Sequence, residues 1–500
     1  MESTGQKGRV QVSEETAELL AASGKKHWLV QRGEKVHAKG KGEMTTYFLV
    51  DEDHSTETKS ITTSEPLPGP ISQNMADLSL EKQGLDSKAE RLVGWNVDVL
   101  WRLLKKVVAR RIANGHGDSH VSSEEEESFE ENTGSIIDEV QEIISLPRFD
   151  PSAQRNEPDE VQIKDVVKEE LHNYVSSIAS MYRQNPFHNF EHASHVTMSV
   201  VKLLSRIVAP AEGMDGNDMA SSLHDHTYGI TSDPLTQFAC VLSALIHDCD
   251  HPGVPNAQLV KEQNRLAEFY NNQSIAEQNS VDLAWNLLMD PNYDNLRGAI
   301  YGTSEEFSRF RRLIVNSVMA TDIVDKELKS LRNARWEKAF SSEAVLDSAN
   351  EIDATNRKAT IVIEHLIQAS DVAHTMRKCV NWKRVMVLFL PPRTYPFVSC
   401  QPTEHWHIYR KWNERFFTEC FKAYKAGRGG DTNPADNWYK GELGFFDFYI
   451  IPLAKKLKEC GVFGVSSDEY LNYAVSLVSP MVNSHLLPSQ VISLLILSFE

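Results

Sequence analysis

Cysteine, long apolar runs and positive charge are all scarce in this chain. Its six cysteines among 500 residues form no C-x-x-C pair, which argues against a disulfide framework and is typical of a reducing compartment. The longest apolar runs, near 385–391 and 491–499, are too short to cross a bilayer, and the N-terminus lacks the apolar core of a signal peptide. Acidic residues outnumber basic ones by 70 to 52, for a net charge of −18. We therefore expect a soluble, cytoplasmic chain with no general affinity for nucleic acid.

Segments of different composition divide the chain. The first is mixed and strand-capable, the second reads as a linker, the third shows helical periodicity, and the last is a short tail; they cover 1–52, 53–135, 136–485 and 486–500. The linker contains an amphipathic helix at 89–113 and an acidic run at 122–128. That helix could pair with itself, lie against a membrane, or pack on the helical domain.

The first motif with a chemical meaning is Asn185-Pro-Phe-His-Asn-Phe-Glu-His-Ala-Ser-His. His188, His192 and His195 are spaced by four and three, so a helix that begins after Pro186 would place them on one face. Such a set can hold one metal ion, or place one histidine on metal and another on substrate. The alternative is a surface histidine cluster.

Two further motifs follow apolar segments. His247-Asp248-Cys-Asp-His251-Pro-Gly comes after the apolar segment 238–246, and Asp371 comes after the apolar segment 360–367. Burying these charges is costly unless they are paired or coordinate metal. The alternatives are a core histidine with a capping aspartate, and a simple helix cap at Asp371.

The order HNxxHA, HDxDHPG and a later aspartate resembles the class I 3′,5′-cyclic-nucleotide phosphodiesterases, a branch of the HD hydrolases. The resemblance runs from about residue 160 to about residue 480. It implies a mainly α fold, namely a compact all-helical catalytic domain with its site in a deep pocket between helix ends.

The resemblance also implies the ligands of two divalent metal ions. His192, His247, Asp248 and Asp371 match the ligands of the first metal, usually zinc. Asp248 matches the bridge to a second metal, usually Mg²⁺ or Mn²⁺, and a largely water-coordinated site suits such a hard cation. Two metals that share a water would generate the hydroxide that attacks phosphorus.

The remaining catalytic roles follow from the same resemblance. His188 matches the general acid that protonates the departing 3′ oxygen, and Asp371 could accept the proton of the bridging water. His251 matches a position that contacts the ligands rather than the metal. Glu277 matches a carboxylate near the site, where it would orient His188 or bound water; alone it would read as an exposed helix residue.

Substrate selection rests on four candidate residues. Phe445 and Phe416 match the two sides of a purine clamp, and His374 is a further substrate-binding candidate. Glu442 stands where the family has Gln. Because an ionised carboxylate only accepts hydrogen bonds, we expect Glu442 to favour cyclic GMP, or to relax selectivity if desolvation raises its pKa.

Departures from the family pattern leave the predicted ligands intact. Phe187 replaces a Tyr, Gln368 replaces a His, and 277–280 reads Glu-Gln-Asn-Ser. The largest departure is an anomalous insertion at 377–403, which puts Asp371 41 residues before Trp412. It is either a tolerated loop or an untranslated segment carried into the reading frame, and in the second case activity is less certain.

Residues 1–52 resemble the C-terminal end of a class III nucleotide cyclase domain. Lys39 matches the triphosphate-binding lysine, whereas the metal-binding aspartates and the transition-state Asn and Arg of that family lie upstream of Met1. We expect an inactive cyclase remnant, or alternatively a small accessory α/β segment. The resemblance suggests a fragment of a cyclase–phosphodiesterase fusion, and a receptor-type parent would place it at the cytosolic face of a membrane.

The sequence thus predicts metal-dependent hydrolysis of cyclic AMP or cyclic GMP, by an enzyme that could form a homodimer. Two other functions stay open: an HD-type hydrolase of another phosphoester, and a catalytically impaired protein that senses cyclic nucleotides. The aromatic clamp would favour a nucleoside substrate over other phosphoesters. The insertion is the one feature that favours the impaired protein.

Overall fold

The computed structural model divides the chain into two compact units, Met1–Gln83 and Gly84–Glu500. It describes 11–14, 17, 29–32, 36–38, 42–49, 86–115, 135–150, 161–207, 216–340, 351–376, 404–430, 432–464, 467–469 and 471–472. Lys39, the acidic run, the insertion at 377–403 and the tail at 486–500 lie outside the described residues. The predictions made for them therefore stay predictions.

The first unit contains short antiparallel strands. Their bounds are β1 Gln11–Ser13, β2 Leu29–Gln31, β3 Val36–Ala38, β4 Gly42–Met44 and β5 Thr46–Leu49. β5 lies between β1 and β2, and β3 pairs with β4. Thr46 and Phe48 are buried while Tyr47 between them is half-buried, as the two-residue period of a strand requires. This alternation is why the sequence here reads as strand.

The second unit is helical, which confirms the mainly α prediction for the described residues. Its helices are α1 Ser87–Ala113, α2 Asp165–Met181, α3 Phe190–Ser205, α4 Gly216–His226, α5 Pro234–Ile246, α6 Asn256–Lys261, α7 Arg265–Phe269, α8 Ile275–Leu288, α9 Asp294–Ile300, α10 Ser304–Met319, α11 Lys326–Phe340, α12 Glu351–Asp371, α13 Glu404–Lys425, α14 Pro434–Phe445 and α15 Ile451–Glu459. A π-helical turn, Phe446–Ile450, joins the last two. Among the described residues, no helix has the length and apolarity needed to cross a membrane.

Helix α5 forms the centre of the helical unit. Eleven of its thirteen residues are buried, because α1, α3, α10 and α12 pack around it. Asp233 caps its first turn by accepting a hydrogen bond from the Thr236 amide, and Pro234 occupies the first helical position, where its missing N–H costs nothing. The apolar run that ends at His247 is therefore a central helix, and the polar residues after it emerge at its C-terminal end.

Helix α1 packs on the helical unit. Asp86 caps it by accepting from the Ala89 amide at 2.7 Å. Val93, Val97, Leu100, Leu104 and Val107 are buried, a spacing of four and three that forms one apolar face. Burying each such side chain contributes about 1.5–3 kcal/mol. Packing on the helical domain is thus the alternative that the structure shows, and α1 belongs to the compact unit Gly84–Glu500.

Arg111 should be a major contributor to the stability of this packing. It is 4% exposed, and its guanidinium donates to the carbonyl oxygens of Gly298 at 2.9 Å and Ile300 at 2.8 Å while pairing with Glu306 at 3.2 Å. Arg111→Ala would leave the last carbonyls of α9 unsatisfied. We expect unfolding free energy to fall by about 3–5 kcal/mol, as when one partner of a buried ion pair is removed.

Urea unfolding measures this loss. The matched control is Arg102→Ala on the exposed face of the same helix, which we expect to cost less than about 0.5 kcal/mol. Equal losses in the two variants would contradict a special role for Arg111.

Candidate active site

Three helix ends bring the predicted metal ligands together. His192 lies in the first turn of α3, whose cap Asn189 accepts a hydrogen bond from the His192 amide at 3.0 Å. His247 and Asp248 directly follow α5, and Asp371 is the last residue of α12. The C-terminal end of a helix carries partial negative charge. Two such ends at one point favour a cation there.

The distances between ligand atoms fit a single metal ion. His192 Nε2 lies 3.0 Å from Asp371 Oδ1 and 3.7 Å from Asp248 Oδ2. His247 Nε2 lies 3.2 Å from Asp248 Oδ2 and 3.6 Å from Asp371 Oδ1. Ligands about 2.0–2.2 Å from a tetrahedral zinc would be roughly 3.3 Å apart. His192, His247 and Asp248 therefore form a group that could hold a metal ion, and Asp371 lies close to both histidines.

The hydrogen bonding of His247 supports the same conclusion. Its Nδ1–H donates to the Ala244 carbonyl at 3.0 Å, which leaves the lone pair on Nε2. That atom is buried and makes no hydrogen bond, although carboxylate oxygens of Asp248 and Asp371 face it. An acceptor nitrogen that faces acceptor oxygens needs a cation or a proton between them. The residues present fit a divalent metal ion.

Burial and neighbouring charges shift the pKa values of the predicted ligands in opposite directions. Burial alone would raise the pKa of Asp248, but the neighbouring His247 and His188 rings hold it well below its usual range. Burial likewise opposes ionisation of Asp371, but the neighbouring His192 and His247 rings hold its pKa well below its usual range. Burial opposes charge on His247, but the two carboxylates raise its pKa well above the usual value. Both aspartates are thus held ionised, as ligands must be.

His188 is held by a carboxylate that sequence reasoning missed. Its Nδ1–H forms a short hydrogen bond with Oε1 of Glu419, and the other oxygen of Glu419 accepts from the backbone amides of Phe187 at 2.8 Å and His188 at 3.0 Å. Burial opposes protonation of His188, but Asp248, Glu419 and Asp371 raise its pKa. These carboxylates therefore favour the protonated form of the residue that is predicted to donate a proton.

His251 stacks against His188. The ring centroids are 3.9 Å apart with an interplanar angle of 33°. Burial and the charge on His188 lower the pKa of His251 to about 3, so His251 is neutral at physiological pH. Its Nδ1 accepts from the Gly253 amide at 3.2 Å. A neutral ring in this position avoids repulsion against a protonated His188.

Glu277 contacts other residues than predicted. Glu277 lies in the first turn of α8, and its Oε2 accepts a hydrogen bond from the side-chain nitrogen of Asn256 at 2.9 Å. Burial and the nearby Asp322 raise its pKa to about 8. Of its two predicted roles, the orientation of His188 falls to Glu419, while the orientation of bound water stays a prediction.

Aromatic rings form one wall beside the ligands. Phe187 is buried, and its ring centroid lies 4.6 Å from His192, 5.7 Å from Trp412 and 5.1 Å from Phe416. His374 packs on Phe187 at 5.8 Å and, with His192 and Asp371, lines a small cavity. His374 and Phe416 therefore lie close to the ligands.

Glu442 and Phe445 lie on α14. Tyr409 O–H donates to Glu442 Oε2 at 2.7 Å, and the Asn413 amide also donates to this carboxylate. Burial raises the pKa of Glu442, although both donors oppose the rise. Phe445 stacks on Tyr449 with centroids 5.3 Å apart. The clamp formed by Phe445 with Phe416 stays a prediction.

Two residues of the site, Glu419 and Asn185, have only weak signals in the sequence. Glu419 is one of several charged residues on an amphipathic helix, where most are solvated, and no motif surrounds it. Asn185 belongs to the first histidine motif, but its side chain had no predicted role. Only the fold shows that both side chains contact His188, at its ring and its carbonyl respectively.

Two parts of the chain match the models of known families. Residues 187–390 match the model of the 3′5′-cyclic nucleotide phosphodiesterase family. Residues 1–51 match the adenylate and guanylate cyclase catalytic domain. The first match includes all four predicted metal ligands and His188, and it ends inside the insertion.

Individual relatives are distant and longer. A probable 3′,5′-cyclic-AMP phosphodiesterase of Caenorhabditis elegans is 25% identical over 57% of this chain and 35% of its own length. A cGMP-specific 3′,5′-cGMP phosphodiesterase of Dictyostelium discoideum is 25% identical over 41% of this chain and 43% of its own. The chain thus spans less than half the length of these curated relatives.

Among solved structures, the phosphodiesterase domain of Salpingoeca rosetta rhodopsin phosphodiesterase has a TM-score of 0.43 and 19% identity, over 64% of this chain and 82% of that one.

The resemblance predicted from the motifs is confirmed by the family matches. Residues 187–390 thus match the 3′5′-cyclic nucleotide phosphodiesterase family, and the first 51 residues match the adenylate and guanylate cyclase catalytic domain.

Proposed function

We propose that this chain hydrolyses 3′,5′-cyclic nucleotides to 5′-nucleoside monophosphates in a metal-dependent reaction. The observation that carries the proposal is the convergence of His192, His247, Asp248 and Asp371 beside His188, whose ring is held by Glu419. The family match explains why the substrate would be a cyclic phosphodiester.

The four converging residues would hold the first divalent metal, for which zinc suits a site of two imidazoles and two carboxylates. Asp248 would also contact a second, harder cation such as Mg²⁺ or Mn²⁺. Such ions, when bound, lower the pKa of water to about 7 and neutralise charge on phosphoryl oxygens.

His188 supplies the proton that the leaving group needs. A water oxygen forms a new bond to phosphorus, the phosphorus–O3′ bond breaks, and the departing alkoxide takes the proton from His188. Glu419 fixes the His188 ring through Nδ1, so Nε2 is the nitrogen that delivers the proton. Neutral His251 packs on the other face of the imidazole and adds no competing charge.

Glu442 supports a preference for guanine. Trp438 Nε1–H donates to Asn413 Oδ1 at 3.1 Å, which directs the Asn413 amide nitrogen to Glu442. With Tyr409 also donating to it, the carboxylate is held as an acceptor. Guanine presents the N1–H and N2–H donors that such an acceptor needs, whereas adenine presents an acceptor at N1.

Glu442→Gln should reduce this preference. We expect the ratio of kcat/KM for cyclic GMP to that for cyclic AMP to fall by about 10-fold, because an amide can both donate and accept. Burial raises the pKa of Glu442, so in the wild type the ratio should be highest above that pKa and decline as pH falls. Glu459→Gln, at the exposed end of α15, is the control. An unchanged ratio after Glu442→Gln would refute the role of Glu442.

Product analysis tests the reaction itself. The purified chain is incubated with cyclic AMP or cyclic GMP in ¹⁸O-water, and the products are separated and analysed by mass spectrometry. The proposal expects a 5′-monophosphate that carries one ¹⁸O on phosphorus. Tight binding without turnover would instead indicate a cyclic-nucleotide sensor, and turnover of only other phosphoesters would indicate a different hydrolase.

A further inference from the structure

Two loops meet at the reacting end of the site, and one side chain joins them. The first loop runs from 182 to 189 and carries His188; the second runs from 247 to 253 and carries Asp248 and His251. The Asn185 amide nitrogen donates to the His188 carbonyl at 3.1 Å and to the His251 carbonyl at 2.7 Å. Both amide hydrogens are therefore used, one for each loop.

The backbone around Asn185 is built to receive this side chain. The Asn185 carbonyl accepts from the Asn189 side chain at 2.8 Å. Gly253 has φ +72°, and a Cβ placed on it would lie 3.2 Å from Asn185 Oδ1 and 3.5 Å from Glu419 Cγ. A side chain at 253 would thus be strained by its backbone and crowded by both neighbours. Gly253, which lacks a side chain, therefore leaves space for the Asn185 side chain.

A second link ties the same loops at the surface. Arg183 forms a two-pronged ion pair with Asp250, with distances of 2.6 Å and 3.0 Å. Asp250 has φ +57°, and its amide donates to the Met181 carbonyl at 3.2 Å. Because this pair is partly exposed, it contributes little by itself. It leaves Asn185 as the inner link between the loops.

We propose that Asn185 is a positioning residue that sets His188 in register with the metal ligands and His251. The inference rests on the proposed function, since it concerns the proton-donating step. It follows from the two carbonyls that Asn185 holds, because a shift of either loop would separate the stacked rings. A displacement of about 1 Å is enough to cost roughly 100-fold in rate.

A double-mutant cycle tests the proposal. The kcat for cyclic-nucleotide hydrolysis is measured for the wild type, Asn185→Ala, His188→Ala and the double variant, with metal content measured in each. We expect Asn185→Ala to lower kcat by about 10–100-fold in the wild type, by analogy with residues that orient ligands. In the His188→Ala background the same change should cost less than about 2-fold, since it acts through His188.

Controls separate positioning from loss of fold. Asn264→Ala removes a helix cap at the start of α7, and should leave kcat unchanged. If Asn185→Ala does not fold, Gly253→Ala takes its place, because the added Cβ crowds Asn185 Oδ1. This change should lower kcat in the wild type and have little effect on kcat in the His188→Ala background. Equal losses in both backgrounds, or loss of bound metal, would overturn the positioning role. A folded, metal-loaded wild type without turnover would instead overturn the proposed function, and the positioning role with it.

Discussion

Asp248→Ala should abolish both metal binding and cyclic-nucleotide hydrolysis. Asp248 Oδ2 is within 3.2 Å of His247 Nε2 and 3.7 Å of His192 Nε2, so its removal takes an oxygen ligand from the centre of the set. Without the cation, water keeps a pKa near its bulk value instead of about 7, and we expect activity to fall by at least about 10⁴-fold. Metal content by mass spectrometry and turnover are measured on the same preparation.

The control for Asp248→Ala is Asp98→Ala, on the exposed face of α1. It changes the net charge equally and should affect neither metal content nor turnover. An Asp248→Ala protein that retained metal and substantial activity would contradict the assignment of Asp248 as a ligand.

Protons should compete with the metal for the same ligand set. Burial opposes charge on His247, yet Asp248 and Asp371 raise its pKa, so at lower pH a proton occupies Nε2 and must leave before a cation binds. Metal affinity should therefore rise with pH up to that pKa and level off above it. Calorimetry in buffers of different ionisation enthalpy would detect the released proton.

His188→Ala is expected to have the second largest effect. Burial opposes protonation of His188, but Asp248, Glu419 and Asp371 raise its pKa, which favours a proton on the ring for the departing oxygen. We expect kcat to fall by about 10²–10⁴-fold, the usual contribution of a general acid. Metal content should stay at the wild-type level, because His188 is not one of the four ligands.

The pH profile distinguishes this role from a structural one. In the wild type, kcat should decline as pH rises past the raised pKa of His188, and the His188→Ala profile should lack that decline. His172→Ala, on the exposed surface of α2, is the control. A His188→Ala variant with undiminished kcat would rule out His188 as the acid.

The helical fold could be predicted because its signals are local. The apolar run before His247 defines a buried helix without knowledge of the rest of the chain. The amphipathic pattern of α1 likewise indicates a helix, but which of its residues are buried depends on distant partners such as Ser194, which accepts a hydrogen bond from buried Asn96 at 3.0 Å. No local pattern reveals such a contact.

The residues proposed as metal ligands stand out in the sequence for a similar reason. Histidine and aspartate next to apolar helices are costly unless coordinated, and His247 with Asp248 shows this directly. Glu419 was not predictable, because a glutamate on an amphipathic helix is usually solvated. It reaches His188 only through the packing of α13 against the first loop, across more than two hundred residues of sequence.

Removal and restoration of metal test the central claim most directly. The wild-type chain is stripped with a chelator, and hydrolysis of cyclic GMP and cyclic AMP is followed as Zn²⁺, Mg²⁺ or Mn²⁺ is added back. The arrangement of His192, His247, Asp248 and Asp371 predicts that stripping abolishes 5′-monophosphate formation and that divalent cations restore it. Hydrolysis that continued undiminished in the stripped protein would contradict the account.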